Sequence, residues 1–291
     1  MKKRGKHRFL LYNGNPQVAL IIRLLFALLF LAASRMLLYF FNPGLFPDHS
    51  IRSIAALAWY GLRFDLSSAL YANLPLILLL LLPLKSRQNT GYQTLTHWTF
   101  CILSTILLIP NLADVIYFRF TMKRLTGDIF SYLKVGTEAN LFVQFLVDFW
   151  YMFLIWFLFI FLIIWVSRRI WVDIRTVNQG NIRYYSGQAF LALVFAGLAV
   201  IGMRGGLQLK PISLMNASQY AEAQNVPLVL NSAFTIMKTM DQEGLERRAY
   251  FSSRSDLNAL FNPEQSYARL DSLGNILPLN KKNIVVIILE S

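Results

Sequence analysis

The run "FWYMFLIWFLFIFLIIWV", Phe149 to Val166, contains no charged residue. As a helix at ~1.5 Å per residue it approaches the ~30 Å hydrocarbon core of a bilayer. The rest of the chain agrees: 56% of its 291 residues are hydrophobic and 15% are charged, against roughly a quarter charged in soluble domains. A chain of this kind is an integral membrane protein.

Five spans are expected: Val18 to Phe41, Leu66 to Leu84 with an amphipathic lead-in from Ile51, Leu95 to Phe118, Phe145 to Val166, and Gln188 to Met203. The fifth is short and needs its flanks to cross. "NPG" at Asn42 to Gly44 closes the first span as a turn, and Gly205-Gly206 ends the fifth helix. The basic start of the chain is not a secretory signal, because its apolar run is too long and no small-residue cleavage site follows.

Lys and Arg number 28 against 15 Asp and Glu, a formal charge of +13. In a membrane chain the excess marks cytoplasmic flanks and meets anionic headgroups; no basic, aromatic-interleaved patch points to nucleic acid. Lys2, Lys3, Arg4, Lys6 and Arg8, then Lys85 and Arg87, then Arg168, Arg169, Arg175 and Arg183 occupy alternate loops. The positive-inside rule therefore places the N-terminus in the cytoplasm and everything after Met203 outside. One outer loop is also basic, with Arg119, Lys123, Arg124 and Lys134. Cys101 is the only cysteine, so no intrachain disulfide forms and cysteine usage does not distinguish an oxidising from a reducing compartment.

Polar residues near the outer ends of the spans are the first functional candidates. Arg63 and Asp65 sit at the head of the second span, where ionisable groups are costly and often functional. Two positions apart on a helix, they face different directions and do not pair with each other. Asn111 and Asp114 near the outer end of the third span, with Asp65, form a candidate outward polar cavity; helix-to-helix hydrogen bonding is the alternative. Arg119, Lys123 and Arg124 are candidates for contact with a lipid phosphate, against ordinary headgroup anchoring. His7, His49 and His97 are scattered at span flanks and read as no metal site.

After Arg204 the composition turns polar. Leu230, Ala233, Phe234, Met237 and Met240 follow helical spacing and give one apolar face, suited to a membrane surface or to a following domain. The chain closes on "KKNIVVIILES", Lys281 to Ser291. Six consecutive aliphatics suit a strand buried on both faces, as in a parallel α/β sheet. Glu290 then lies at the strand's carboxyl end, where ligands gather in such sheets, and a carboxylate there suits a divalent cation.

"NIVVIILES", Asn283 to Ser291, resembles the opening strand of the catalytic domain in the lipoteichoic acid synthase family, a membrane branch of the alkaline phosphatase–sulfatase superfamily. "GLRFDLS" (Gly61 to Ser67), "FRFTMKRLTGDIFSYL" (Phe118 to Leu133) and "GGLQLKPI" (Gly205 to Ile212) are similar to segments of bacterial members. The resemblance covers the visible chain but only the amino-terminal part of a family protein. It implies an all-α membrane domain of five transmembrane helices over residues 1–206. An extracytoplasmic linker with short amphipathic helices follows over 207–282, then the first strand of a truncated α/β domain over 283–291.

The same resemblance implies a multi-pass protein of the bacterial cytoplasmic (inner) membrane. Its activity would be metal-dependent transfer of a phosphoglycerol-type headgroup from a phospholipid donor to an outer-face polymer or glycan. Glu290 would be one ligand of a divalent metal (manganese, magnesium or zinc). The nucleophilic Thr and remaining ligands lie beyond Ser291 in the family, so no catalytic residue falls within this chain. A membrane-bound sulfatase-type hydrolase and a non-enzymatic five-span protein are the alternatives.

Overall fold

The computed structural model describes residues 10–47, 50–82, 84, 87, 89–130, 147–172, 182–240 and 254–261. The chain divides into a unit over Met1–Gln242 and a second over Glu243–Ser291. Of the second unit the described element is one short helix, Arg254–Leu260. Glu290 and the strand expected around it lie outside the described residues.

The first unit is a helical bundle. Helix α1 covers Pro16–Phe41. Asn15 caps its start by accepting from the Gln17 N–H, and Pro16 supplies a preset φ where no N–H is needed. Helix α2 covers Ile51–Ala72 and α3 covers Leu74–Leu81. Helix α4 runs Thr90–Thr121, α5 Trp150–Ser167 and α6 Ile182–Arg204. Helices α1, α4, α5 and the Ser186–Arg204 part of α6 are each long and apolar enough to cross a membrane, and the bent pair α2–α3 makes a fifth candidate. The fold is mostly helical, with the expected number of candidate spans.

The second span departs from the straight helix read in the sequence. Its two halves meet at Asn73 with a bend of 66°. Pro75 explains the break: it has no N–H to donate to the carbonyl of Tyr71, and its ring crowds that turn. The buried Asn73 amide caps the first half by donating to the Ala69 carbonyl at 2.9 Å. The fifth span is longer than its apolar core suggested, extending back to Ile182.

Helix α1 packs between α2 and α4, α5 lies against α4, and α6 lies against α2. Leu31, Leu38, Phe64, Leu76, Leu80 and Phe100 are completely shielded in the resulting core. The outer flanks of α5 and α6 are bare and apolar: Phe157, Phe161, Phe190 and Leu193 are all more than half exposed. Faces of this size are not left to water, whereas a lipid environment matches them.

A small parallel sheet, not anticipated from the sequence, joins Tyr12–Gly14 (β1) to Ile170–Val172 (β2), with Tyr12 opposite Ile170 and Gly14 opposite Val172. It sits at the end of the bundle where α1 and α4 begin and α5 finishes. The Gln93 side chain extends the edge, bonding both the N–H and the carbonyl of Val172. At the opposite end lie a 3₁₀ turn at Pro43–Leu45 and the loop 122–130. The segment after α6 joins them: a 3₁₀ turn at Leu214–Gln219, helix α7 at Val226–Val229 and helix α8 at Ser232–Thr239.

Candidate functional site

Asp65, Asn111 and Asp114 come together where α8 enters the bundle. The α8 helix begins at Asn231, whose side-chain oxygen accepts from the Phe234 N–H as an N-cap. The Asn231 amide donates to Asp65 Oδ1 at 2.8 Å and to Ser68 Oγ at 3.1 Å. The next residue reaches the neighbouring span: the Ser232 N–H donates to Asn111 Oδ1 at 2.9 Å, and its hydroxyl donates to Asp114 Oδ2. Two adjacent linker residues therefore bind two separate spans. The apolar face of the 230–240 stretch, expected on a membrane surface or a following domain, is used against α2 and α4; Phe234 is fully buried and meets the Phe64 ring edge-on at 5.2 Å.

Each carboxylate also holds an arginine. Arg35 of α1 pairs with Asp65 at 2.6 Å, and both side chains are buried. Its Nη2 also faces the carbonyls of Gly61 at 3.4 Å and Val229 at 3.3 Å. Gly61 is what admits the guanidinium: a Cβ there would lie 2.5 Å from Arg35 Cζ. Arg35 Nε and Nη1 and Asp65 Oδ2 are buried without hydrogen-bond partners among the described residues.

Arg124 is better satisfied. It pairs with Asp114 at 3.3 Å and donates to the carbonyls of Pro227 at 2.8 Å and Leu230 at 2.9 Å, and to Ser232 Oγ at 3.1 Å. The Leu125 N–H gives Asp114 Oδ1 a further bond at 3.0 Å. Burial lowers the Arg124 pKa from its ordinary value, and the Asp114 carboxylate is the strongest opposing influence.

The other candidates are distributed around this centre. Arg63 turns away from Asp65, as their spacing required, and donates to the Gly205 carbonyl at 2.5 Å, Tyr220 Oη at 2.8 Å and Gln208 Oε1 at 2.7 Å. Tyr60 stacks on Tyr220 beside it. Gly205 has φ of +80° and Gly206 of +135°. The Gly206 N–H returns to the Ile201 carbonyl, the reversal expected after α6. Arg119 is exposed and joins the α4 end to the α1 end through Asn42 Oδ1 at 3.0 Å and the Phe41 carbonyl at 2.6 Å. Lys123 is exposed and pairs with Asp128 at 3.3 Å.

Sequence reasoning missed Arg35, Asn231 and Ser232. Arg35 carried a readable signal, an arginine within an apolar span. Asn231 and Ser232 carried only an N-cap pattern, which predicts a helix start and not its destination. Among the described residues, no group of three His, Cys, Asp or Glu could hold a metal ion. The metal implied by the resemblance therefore finds no home among the described residues. No known protein family, curated protein or solved structure matches the chain.

The arrangement is a lock rather than a reaction centre. Both carboxylates are shielded from water and bonded to protein donors. Removing one member of a buried ion pair costs about 3–5 kcal/mol, because the remaining charge is left uncompensated. What the geometry does is fix residues 225–240 in register against α1, α2 and α4.

Proposed function

We propose that this chain is the membrane portion of a metal-dependent phosphotransferase resembling lipoteichoic acid synthase, which moves a phosphoglycerol-type headgroup from a phospholipid to an acceptor outside the cytoplasmic membrane. The observation that carries the reading is the return of the chain after α6. Instead of leaving the bundle, residues 205–240 are bound to it through Arg63, Asp65, Asp114 and Arg124. A headgroup transferase needs its catalytic domain held near lipid phosphates, because a fixed position replaces a costly bimolecular encounter. The motif at Asn283 to Ser291 supports the same reading, with Glu290 as a metal ligand in the complete protein.

In this reading the bundle binds and orients; Arg119 and Lys123, exposed beside the lock, contact the donor headgroup. The test uses the complete polypeptide encoded by the gene, in vesicles of phosphatidylglycerol with manganese or magnesium. Diacylglycerol should form, and Glu290→Gln should abolish its formation without changing expression. Absence of diacylglycerol with every divalent cation tried overturns the assignment, and glycerol phosphate released to water without an acceptor replaces transferase by hydrolase.

A further inference from the structure

The opposite end of the bundle contains a second charged arrangement, and it is incomplete. Arg23 lies within α1, is 1% exposed, and makes one weak contact, from Nη2 to the Ile170 carbonyl at 3.4 Å. Among the described residues its Nε and Nη1 have no hydrogen-bond partner, and no carboxylate forms an ion pair with it. A guanidinium in an apolar span is costly unless an anion answers it. Ile170, the residue it touches, lines a cavity of about 380 Å³ between the start of α4 and β2.

The lining of that cavity suits an anion at a membrane interface. His97 and Ser167 stand 2.7 Å apart on its wall, Thr94 adds a hydroxyl, and Arg168 adds a second, exposed positive charge. Trp98 and Trp171 complete it, the aromatic type that settles at headgroup depth. Among the described residues, no carboxylate lines the cavity. A phosphodiester carries one negative charge and accepts from guanidinium, hydroxyl and imidazole groups.

We propose that this cavity binds a phosphodiester or phosphate anion, with Arg168 as the accessible cation on its wall and Arg23, which does not line it but touches the wall residue Ile170, as a buried charge behind it. The chemistry is shared by an anionic lipid headgroup and by soluble phosphate. It is independent of the transferase reading, which concerns the other end of the bundle.

The experiment follows the thermal unfolding midpoint of the full chain in zwitterionic detergent. Phosphatidylglycerol, phosphatidylcholine, inorganic phosphate and chloride are titrated separately, the two salts at matched ionic strength. Phosphatidylglycerol or phosphate should raise the midpoint saturably, while phosphatidylcholine and chloride should not. A response to phosphatidylglycerol alone identifies a lipid, and a response to phosphate shows that the anion suffices. Arg23→Gln should fold and diminish the response; Arg168→Gln, on the exposed wall, should weaken it about twofold to fivefold. Equal responses to phosphatidylglycerol and phosphatidylcholine, no response to either anion, or an undiminished response in Arg168→Gln overturns the proposal.

Discussion

The two ends of the bundle treat buried arginine in opposite ways. At the linker end Arg35 and Arg124 each face a carboxylate from another element. At the sheet end Arg23 is equally buried and, among the described residues, faces a backbone carbonyl alone. In an apolar medium the first arrangement is a structural joint, because each charge is answered by the fold itself. The second leaves the answer to something outside the described residues. Burial alone does not distinguish a lock from a binding site; the identity of the counter-charge does.

Breaking each end separately sharpens the contrast. Arg35→Met leaves Asp65 uncompensated and should lower stability by about 3–5 kcal/mol, read as a fall in the unfolding midpoint in detergent. Arg23→Met in the same assay without anion should be near neutral or stabilising, since no intramolecular pair is lost. If both fall equally, the distinction between the ends is wrong. The double variant Arg35→Met/Asp65→Leu should recover most of the loss, since neither charge is then stranded.

Gly61→Ala tests the close approach at the lock. The new methyl would meet the Arg35 guanidinium, and overpacking of this kind costs about 1–3 kcal/mol. A smaller effect is expected from Asn231→Ala, which removes the α8 cap and the bonds to Asp65 and Ser68. Loss of the cap costs about 0.5–2 kcal/mol; hydrogen exchange should rise over Ser232–Thr239 before it rises in α4.

Lys123→Ala should change stability least, by about 0.2–1 kcal/mol, because its pair with Asp128 is exposed. The Thr126 hydroxyl, then Lys123, holds the Asp128 carboxyl below its ordinary value. That contribution is therefore present above about pH 4 and disappears as pH falls through the depressed value. Wild type and Lys123→Ala should converge in midpoint as the solution is acidified.

The spans were legible because a bilayer imposes length and apolarity on consecutive residues. The reversal at Gly205-Gly206 was legible for a similarly local reason. Asp65, Asn111 and Asp114 stood out as polar groups in apolar surroundings, and the structure does gather them. Their partners were not legible: Asn231 meets Asp65 across most of the chain, and no periodicity encodes such a pairing. The β1–β2 pair escaped notice because three-residue strands carry no alternation worth reading, and the bend at Asn73 was masked by the uniform leucine around Pro75.

The lock also sets how far residues 205–240 can reach. Measured from the last span, the chain would have on the order of 100 Å of slack between Gly205 and Met240 if extended. With Thr239 Oγ1 accepting from the Gly127 N–H at 2.7 Å, that slack is wound in. Thr239 is thereby fixed beside the loop that follows the fourth helix rather than hanging from the sixth. Cutting any one anchor would return part of that length to residues 205–240 and widen the volume they sample, with no change to the spans themselves.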